Sequence, residues 1–217
     1  MPADERGVEG RGGLSASASE RHAALLDFIA LTDRLKHVHR ASRTAGPASG
    51  EAGRPENSAE HAWHVALIAV LLASEVTPRP DMARVLTMIA LHDVVEIESG
   101  DTFAFDEAGL LTQAEREAAA ADKIFGTLPA DLAENLRALW EEFEAQATPD
   151  ALYAMGCDRL QGFAQQVHCG APAWAAVGLT RARSLVRMQP AIDLGGPFAS
   201  MINALYERAM AEGLLRP

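Results

Sequence analysis

His92 and Asp93 stand side by side at the end of an apolar run, residues 85–91, whose composition suits the inside of a helical core. A buried carboxylate costs free energy unless a cation or hydrogen-bond donors meet it. Any fold this chain adopts must therefore bring partners to that helix end. Two further residues suit the same site: His61, in Asn57-Ser58-Ala59-Glu60-His61, and Asp158, in the otherwise largely apolar Met155-Gly156-Cys157-Asp158-Arg159-Leu160. Together His61, His92, Asp93 and Asp158 form a coherent set of metal ligands, two imidazoles and two carboxylates.

The rest of the pattern is helical. Residues 22–38 repeat apolar positions through Leu25, Leu26, Phe28, Ile29, Leu31 and Leu35 and end in a basic stretch, with Arg40 as a cation that suits a helix C-terminus. Residues 41–55 are rich in Gly, Ser, Pro and Ala and read as a long surface loop. Asn57 and Glu60 have capping-box spacing, which places His61 in the first turns of a helix that runs to the Thr77-Pro78-Arg79-Pro80 break. A further helix is expected from Asp81 to about Ile97, a loop from 99 to 109, and a helix opened by Thr112 and Glu115. Pro129 and Pro149 suit first-turn positions, the second after Thr148 as N-cap, and that helix carries Asp158. Residues 179–188 and 198–210 recur at helical spacing, and no window alternates as a strand would. The expected fold is all-α: one compact helical domain over residues 21–217, preceded by a tail over residues 1–20 with too few apolar residues to pack.

With 217 residues and 48% hydrophobic content the chain can bury a substantial core. A net charge of −11 argues against a nucleic-acid polymer as partner. No apolar span suits a membrane, and two cysteines make no disulfide framework, so a reducing cytoplasm is the expected setting. Several helices with this apolar content leave a homodimer open.

Mixed imidazole and carboxylate ligands suit one divalent ion of the Mn, Co, Fe, Ni or Zn type with open water positions, unlike a closed cysteine site. Such an ion lowers the pKa of bound water from about 15.7 toward about 7 in the best zinc case, which points to hydrolysis. Glu96, four residues after His92, is expected on the same helix face, and Asp101 lies just beyond. This acidic pair could position water and deliver a proton to a leaving group. Arg40, besides its helix-end reading, could clamp two phosphate oxygens. His64 is the rival ligand, read as a supporting residue, and His37, His39 and His168 read as ordinary. Trp140 and Phe143 read as core anchors behind an acidic face, and Cys157 as a small buried residue.

The ordered set of His61, His92-Asp93 and Asp158 resembles the HD-domain metal-dependent phosphohydrolase superfamily. More narrowly, Arg34 to Arg40, Glu56 to His61, His92-Asp93-Val94-Val95-Glu96 and Gly100-Asp101 are similar to the 5′-deoxynucleotidase branch. The resemblance implies a compact helical bundle, often dimeric, with one divalent metal held by His61, His92, Asp93 and Asp158. It also implies Arg40 on the phosphate and Glu96 and Asp101 around the reacting phosphate and sugar. The small phosphorylated substrate would be a deoxynucleoside 5′-monophosphate. Two departures bear on the nucleoside: Ala41 stands where relatives can carry an aromatic, and the segment before His61 is longer and richer in Gly and Pro. An alarmone-type pyrophosphohydrolase is the competing enzyme reading, lowered by Ile97 where those domains usually carry Asp. A noncatalytic metal- or nucleotide-binding module is the competing non-enzyme reading.

Overall fold

The computed structural model describes residues 12–48 and 50–217. Residues 1–11, part of the expected tail, lie outside the described residues, whereas residues 12–20 stand in the first helix, α1 (Gly12–Thr32). A short 3₁₀ turn, Asp33–His37, follows and ends at the extended Val38. The chain then forms two antiparallel strands, β1 (His39–Ala45) and β2 (Ala52–Asn57), with His39 opposite Asn57 and Ala45 opposite Ala52.

This hairpin corrects the reading of residues 41–55 as a loop, and it takes Arg40 off a helix end and onto β1. Its strands are short and carry few large apolar side chains, so they show no alternation. Much of what holds them is polar. Gln165 Nε2 donates to the Arg43 carbonyl at 2.6 Å, and Gln166 Nε2 donates to Ser42 Oγ at 3.2 Å, pinning β1 to a core helix.

Asn57 ends β2 and caps α2 (Ser58–Leu72). Its side chain accepts the Glu60 N–H at 2.9 Å while Glu60 Oε2 accepts the Asn57 N–H at 3.3 Å, the expected capping box. Asp81 caps α3 (Met82–Leu91) by accepting the amides of Ala83 and Arg84. The helix expected to continue to residue 97 stops there. Residues 92–95 form a tight turn before α4 (Glu96–Ser99), with bonds from Val94 N–H to Leu91 O at 3.0 Å and from Glu96 N–H to Asp93 O at 3.0 Å. Spacing of i to i+3 overwinds the backbone and swings successive side chains further round than an α-helix would.

Asp106 caps α5 (Glu107–Phe125), so Thr112 lies inside that helix and does not open it. The helices α6 (Ala130–Ala145), α7 (Pro149–His168), α8 (Pro172–Val177), α9 (Arg181–Ile192) and α10 (Gly196–Ala211) complete the chain. Pro129 is the residue before α6, one position earlier than expected, while Thr148 and Pro149 open α7 as expected.

The centre of the molecule is α7, which packs against α2, α3, α6, α9, α10 and β1. A helix buried on so many sides needs small residues where neighbours cross, and Ala151, Ala154, Gly156 and Cys157 supply them. A Cβ at Gly156 would lie 2.6 Å from Leu194 Cδ1 and 3.0 Å from the Phe198 ring. A second apolar cluster joins Leu91, Val95, Ala121, Phe125 and Trp140, locking the turn after α3 onto α5 and α6. Among the described residues no helix is long and apolar enough to cross a membrane. The fold is a helical bundle with one small hairpin, as the all-α expectation required apart from the strands.

Candidate metal centre and catalytic cavity

Three elements distant in sequence converge where α3 ends. His61 projects from α2, Asp158 from α7 and His92 from the turn after α3, and one potential ligand atom from each lies within 4.8 Å of the other two. His61 Nε2 faces Asp158 Oδ1 at 2.9 Å. Asp93 is adjacent, its Oδ1 3.1 Å from His92 Nε2 and its Oδ2 3.9 Å from His61 Nε2. The four sequence candidates therefore share one buried locus.

The donor chemistry there fits a cation. His92 Nδ1 lies 2.7 Å from the Ile89 carbonyl, which can only accept, so Nδ1 carries a proton and donates. The other ring nitrogen, Nε2, is buried without a hydrogen-bond partner and points a lone pair toward the Asp93 carboxylate. Acceptor facing acceptor is repulsive unless a cation or proton lies between them. The indole of Trp140 donates to the His92 carbonyl at 3.3 Å and helps fix this turn.

Arg40 reaches the same locus from β1. Its Nη1 donates to Asp93 Oδ2 at 2.8 Å and lies 3.7 Å from Asp101 Oδ1. Burial works against the guanidinium charge, but Asp93, Asp101, Glu96 and Asp158 more than offset it and hold Arg40 firmly protonated. Burial likewise pushes the Asp158 carboxyl up, yet the close contact with His61 and the influence of His92 and Arg40 hold it well below the usual carboxylate range.

Glu96 is the first residue of α4, brought to the cavity by the tight turn and not by one continuous helix face. Its Oε2 accepts from Ser58 Oγ at 2.6 Å. Burial, then the neighbouring Asp93 charge, raises its pKa well above the ordinary carboxylate value. Asp101 is also raised, chiefly by burial, although Arg40 opposes the shift. The segment carrying Asp101 is held by Arg116, which donates to the Ser99 carbonyl at 2.6 Å and to Thr102 Oγ1 at 2.7 Å, and by Arg183, which donates to the Phe105 carbonyl at 3.0 Å.

These groups open onto a cavity of about 380 Å³. Phe103, Phe105, Phe163 and Trp174 line it as well, together with Glu117, Glu144, Arg159 and Arg187. Burial raises Glu117, and burial with the Glu117, Asp93 and Asp158 charges pushes Glu144 up to about 7. Burial and Arg187 lower Arg159 to about 10.

Sequence reasoning missed the buried polar residues behind the site: Glu56, Ser58 and Gln161. Gln161 takes part in three close polar contacts, with His61 Nδ1 at 2.6 Å, Glu56 Oε1 at 2.9 Å and His64 Nδ1 at 3.3 Å. The usable signal was spacing, because Gln161 lies about one turn after Asp158 on the same helix. His64, the rival ligand, is in this support network.

Comparison with known proteins agrees with this geometry. The family model described as HD domain matches residues 32–195. The human protein named 5′-deoxynucleotidase HDDC2 is 29% identical over 150 residues, covering 68% of this chain and 70% of its own; the mouse protein of that name is 28% identical over 148 residues, covering 68% and 71%. The crystal structure of a predicted metal-dependent phosphohydrolase from Magnetospirillum magnetotacticum MS-1 superposes with a TM-score of 0.84 at 37% identity, covering 92% of this chain and 98% of that one. A conserved hypothetical protein from Pyrococcus furiosus, 20% identical with a TM-score of 0.56 over 85% of this chain and 99% of its own, shares the fold. Motif order, converging ligands and the family match agree, and the chain belongs to the HD-domain family of metal-dependent phosphohydrolases.

Proposed function

We propose that the protein hydrolyses the phosphomonoester of (deoxy)nucleoside 5′-monophosphates. The observation that carries this reading is one cavity lined both by His92, Asp93, Asp158 and Arg40 and by the aromatic rings of Phe103, Phe105, Phe163 and Trp174, with His61 packed against Asp158 behind it. The relatives named 5′-deoxynucleotidase support the same substrate class.

His61, His92, Asp93 and Asp158 would hold one divalent ion, with Mn, Co, Fe, Ni and Zn all suited to these donors. When bound, the ion supplies Lewis-acid polarisation of water and of a phosphoryl oxygen. Arg40 offers planar donors to two phosphate oxygens, and Asp93 and Asp101 hold the guanidinium in place before substrate arrives. Glu96 retains its proton to higher pH than an ordinary carboxyl and can deliver it to the departing sugar oxygen. Asp101, beside Arg40, orients the substrate near the sugar.

The outer face of α2 supports a homodimer. Trp63, Leu67, Val70 and Leu71 are exposed at helical spacing, Trp63 to 67%, and no charged residue occurs between Glu60 and Glu75. Contiguous apolar surface of this kind marks an interaction site. The two cysteines, both free and buried, suit the proposed reducing cytoplasm.

The test is phosphate release from deoxynucleoside and ribonucleoside 5′-monophosphates with Mn, Co, Mg or Zn supplied, and Asp93→Ala as control. Release that favours deoxy substrates and disappears in the control is expected. Pyrophosphate as product from a longer nucleotide, with no phosphate from monophosphates, would reject the proposal.

A further inference from the structure

Gln161 and Glu56 do not line the cavity, yet both are buried and polar. A carboxamide can accept on its oxygen and donate from its nitrogen, but never the reverse. Glu56 Oε1 sits 2.9 Å from Gln161 Nε2 and, as a carboxylate, can only accept. His64 Nδ1 is 3.3 Å from the same nitrogen. The Glu56 carboxylate fixes which end of the amide is NH₂, so Gln161 Oε1 is the atom that meets His61 Nδ1 at 2.6 Å. His61 must then carry its proton on Nδ1, and Nε2, the atom facing Asp158, is the one left to bind a cation.

We infer that Glu56 and Gln161 are a positioning pair that fixes the protonation pattern of His61 for metal binding. This rests on the metal-centre reading of the site and is independent of which nucleotide is hydrolysed. His92 needs no such pair, because a backbone carbonyl performs the task for it. His61 Nδ1 has a side-chain amide, which could be turned over, and the fixed charge of Glu56 makes the turned-over state unfavourable.

Arg40 sharpens the argument. Its Nε is buried without a hydrogen-bond partner and lies 4.0 Å from Glu56 Oε2, which is also unpartnered. In Glu56→Gln the new amide would turn its oxygen to Arg40 and its NH₂ to Gln161. Gln161 would then present its own NH₂ to His61, Nδ1 would become an acceptor, and the proton would move to Nε2, blocking the ligand position. The pair can also be rebuilt in reverse. In the double variant Glu56→Gln with Gln161→Glu, Gln at 56 donates to the carboxylate at 161, which still accepts from His61 Nδ1.

The experiment measures Zn²⁺ affinity, by competition with a chromophoric chelator, for the wild type, Glu56→Gln, Gln161→Leu and the double variant, with His61→Ala as reference. The His61 Nδ1–H proton is followed by NMR and folding by thermal melts. Glu56→Gln and Gln161→Leu are expected to weaken Zn²⁺ binding about 10- to 100-fold. Glu56→Gln should also lose the Nδ1–H signal, and the double variant should recover both affinity and signal. A packing role alone would lower the melting temperature without moving the proton and would give no recovery. Wild-type affinity with the proton retained in Glu56→Gln, or a double variant no better than that single one, overturns the inference. Zn²⁺ binding unchanged in His61→Ala would overturn it together with the metal-centre reading.

Discussion

Replacing Arg40 by Met keeps much of the side chain's volume and removes the only arginine or lysine that contacts Asp93 directly among the described residues. The 2.8 Å contact between groups 17% and 10% exposed corresponds to about 6 kcal/mol of gross attraction at an effective dielectric of about 20. Desolvation of the guanidinium cancels part of this. The remaining cost is that of stranding a buried charge when its partner is removed, about 3–5 kcal/mol. For a chain of 217 residues, that lowers the melting temperature by roughly 6–20 °C. In the loaded protein a divalent ion beside Asp93 takes over part of the neutralisation, so the loss should be clearly smaller. Catalysis should suffer regardless, by about 10²–10³ in kcat/KM, the scale of removing one donor aimed at developing charge. Urea unfolding with and without chelator, together with phosphate-release kinetics, reads all three quantities. Arg40→Lys should restore much of the stability but little of the activity, because an ammonium cannot grip two phosphate oxygens in one plane. A metal-free loss below about 1 kcal/mol, or equal losses in both states, would refute the assignment of Arg40 as the neutralising partner of Asp93.

The Glu96 carboxyl, raised by burial and Asp93, binds its proton more tightly folded than unfolded, so its contribution to stability is present at low pH and is lost as pH rises from the unfolded value of about 4.3 through the folded one. In metal-free protein, Glu96→Gln should therefore match the wild type near pH 4 and exceed its stability increasingly above that. A difference that does not change with pH would argue against a shifted Glu96. Gly156→Ala should cost about 1–3 kcal/mol in urea unfolding, because the added methyl must displace Leu194 or the Phe198 ring; a neutral result would mean α7 and α10 can separate freely. Trp63→Glu should convert a dimer to monomer by light scattering while leaving phosphate release largely intact, and an unchanged dimer would place the interface elsewhere.

Much of the local structure was legible because its causes are local. Asn57 and Glu60 form the capping box and Thr148 and Pro149 start α7, since a cap needs only a side chain and amides within three residues. Local signals misled where two competed. Asp106 and Thr112 can each cap a helix, and the chain uses Asp106, leaving Thr112 inside α5. The hairpin was illegible because it is held by its own backbone bonds and by Gln165 and Gln166, more than 120 residues away.

The sequence by itself determined the helical architecture and the set of candidate ligands, because apolar periodicity and costly buried polar groups are properties of the chain. Only the tertiary structure decided how those residues are arranged. The tight turn at residues 92–95 sets Glu96, strand β1 carries Arg40 to Asp93, and Glu56 meets Gln161 across 105 positions to orient His61. A glutamine has no motif that announces this: its meaning depends on which neighbour can only accept, and folding alone chooses the neighbour.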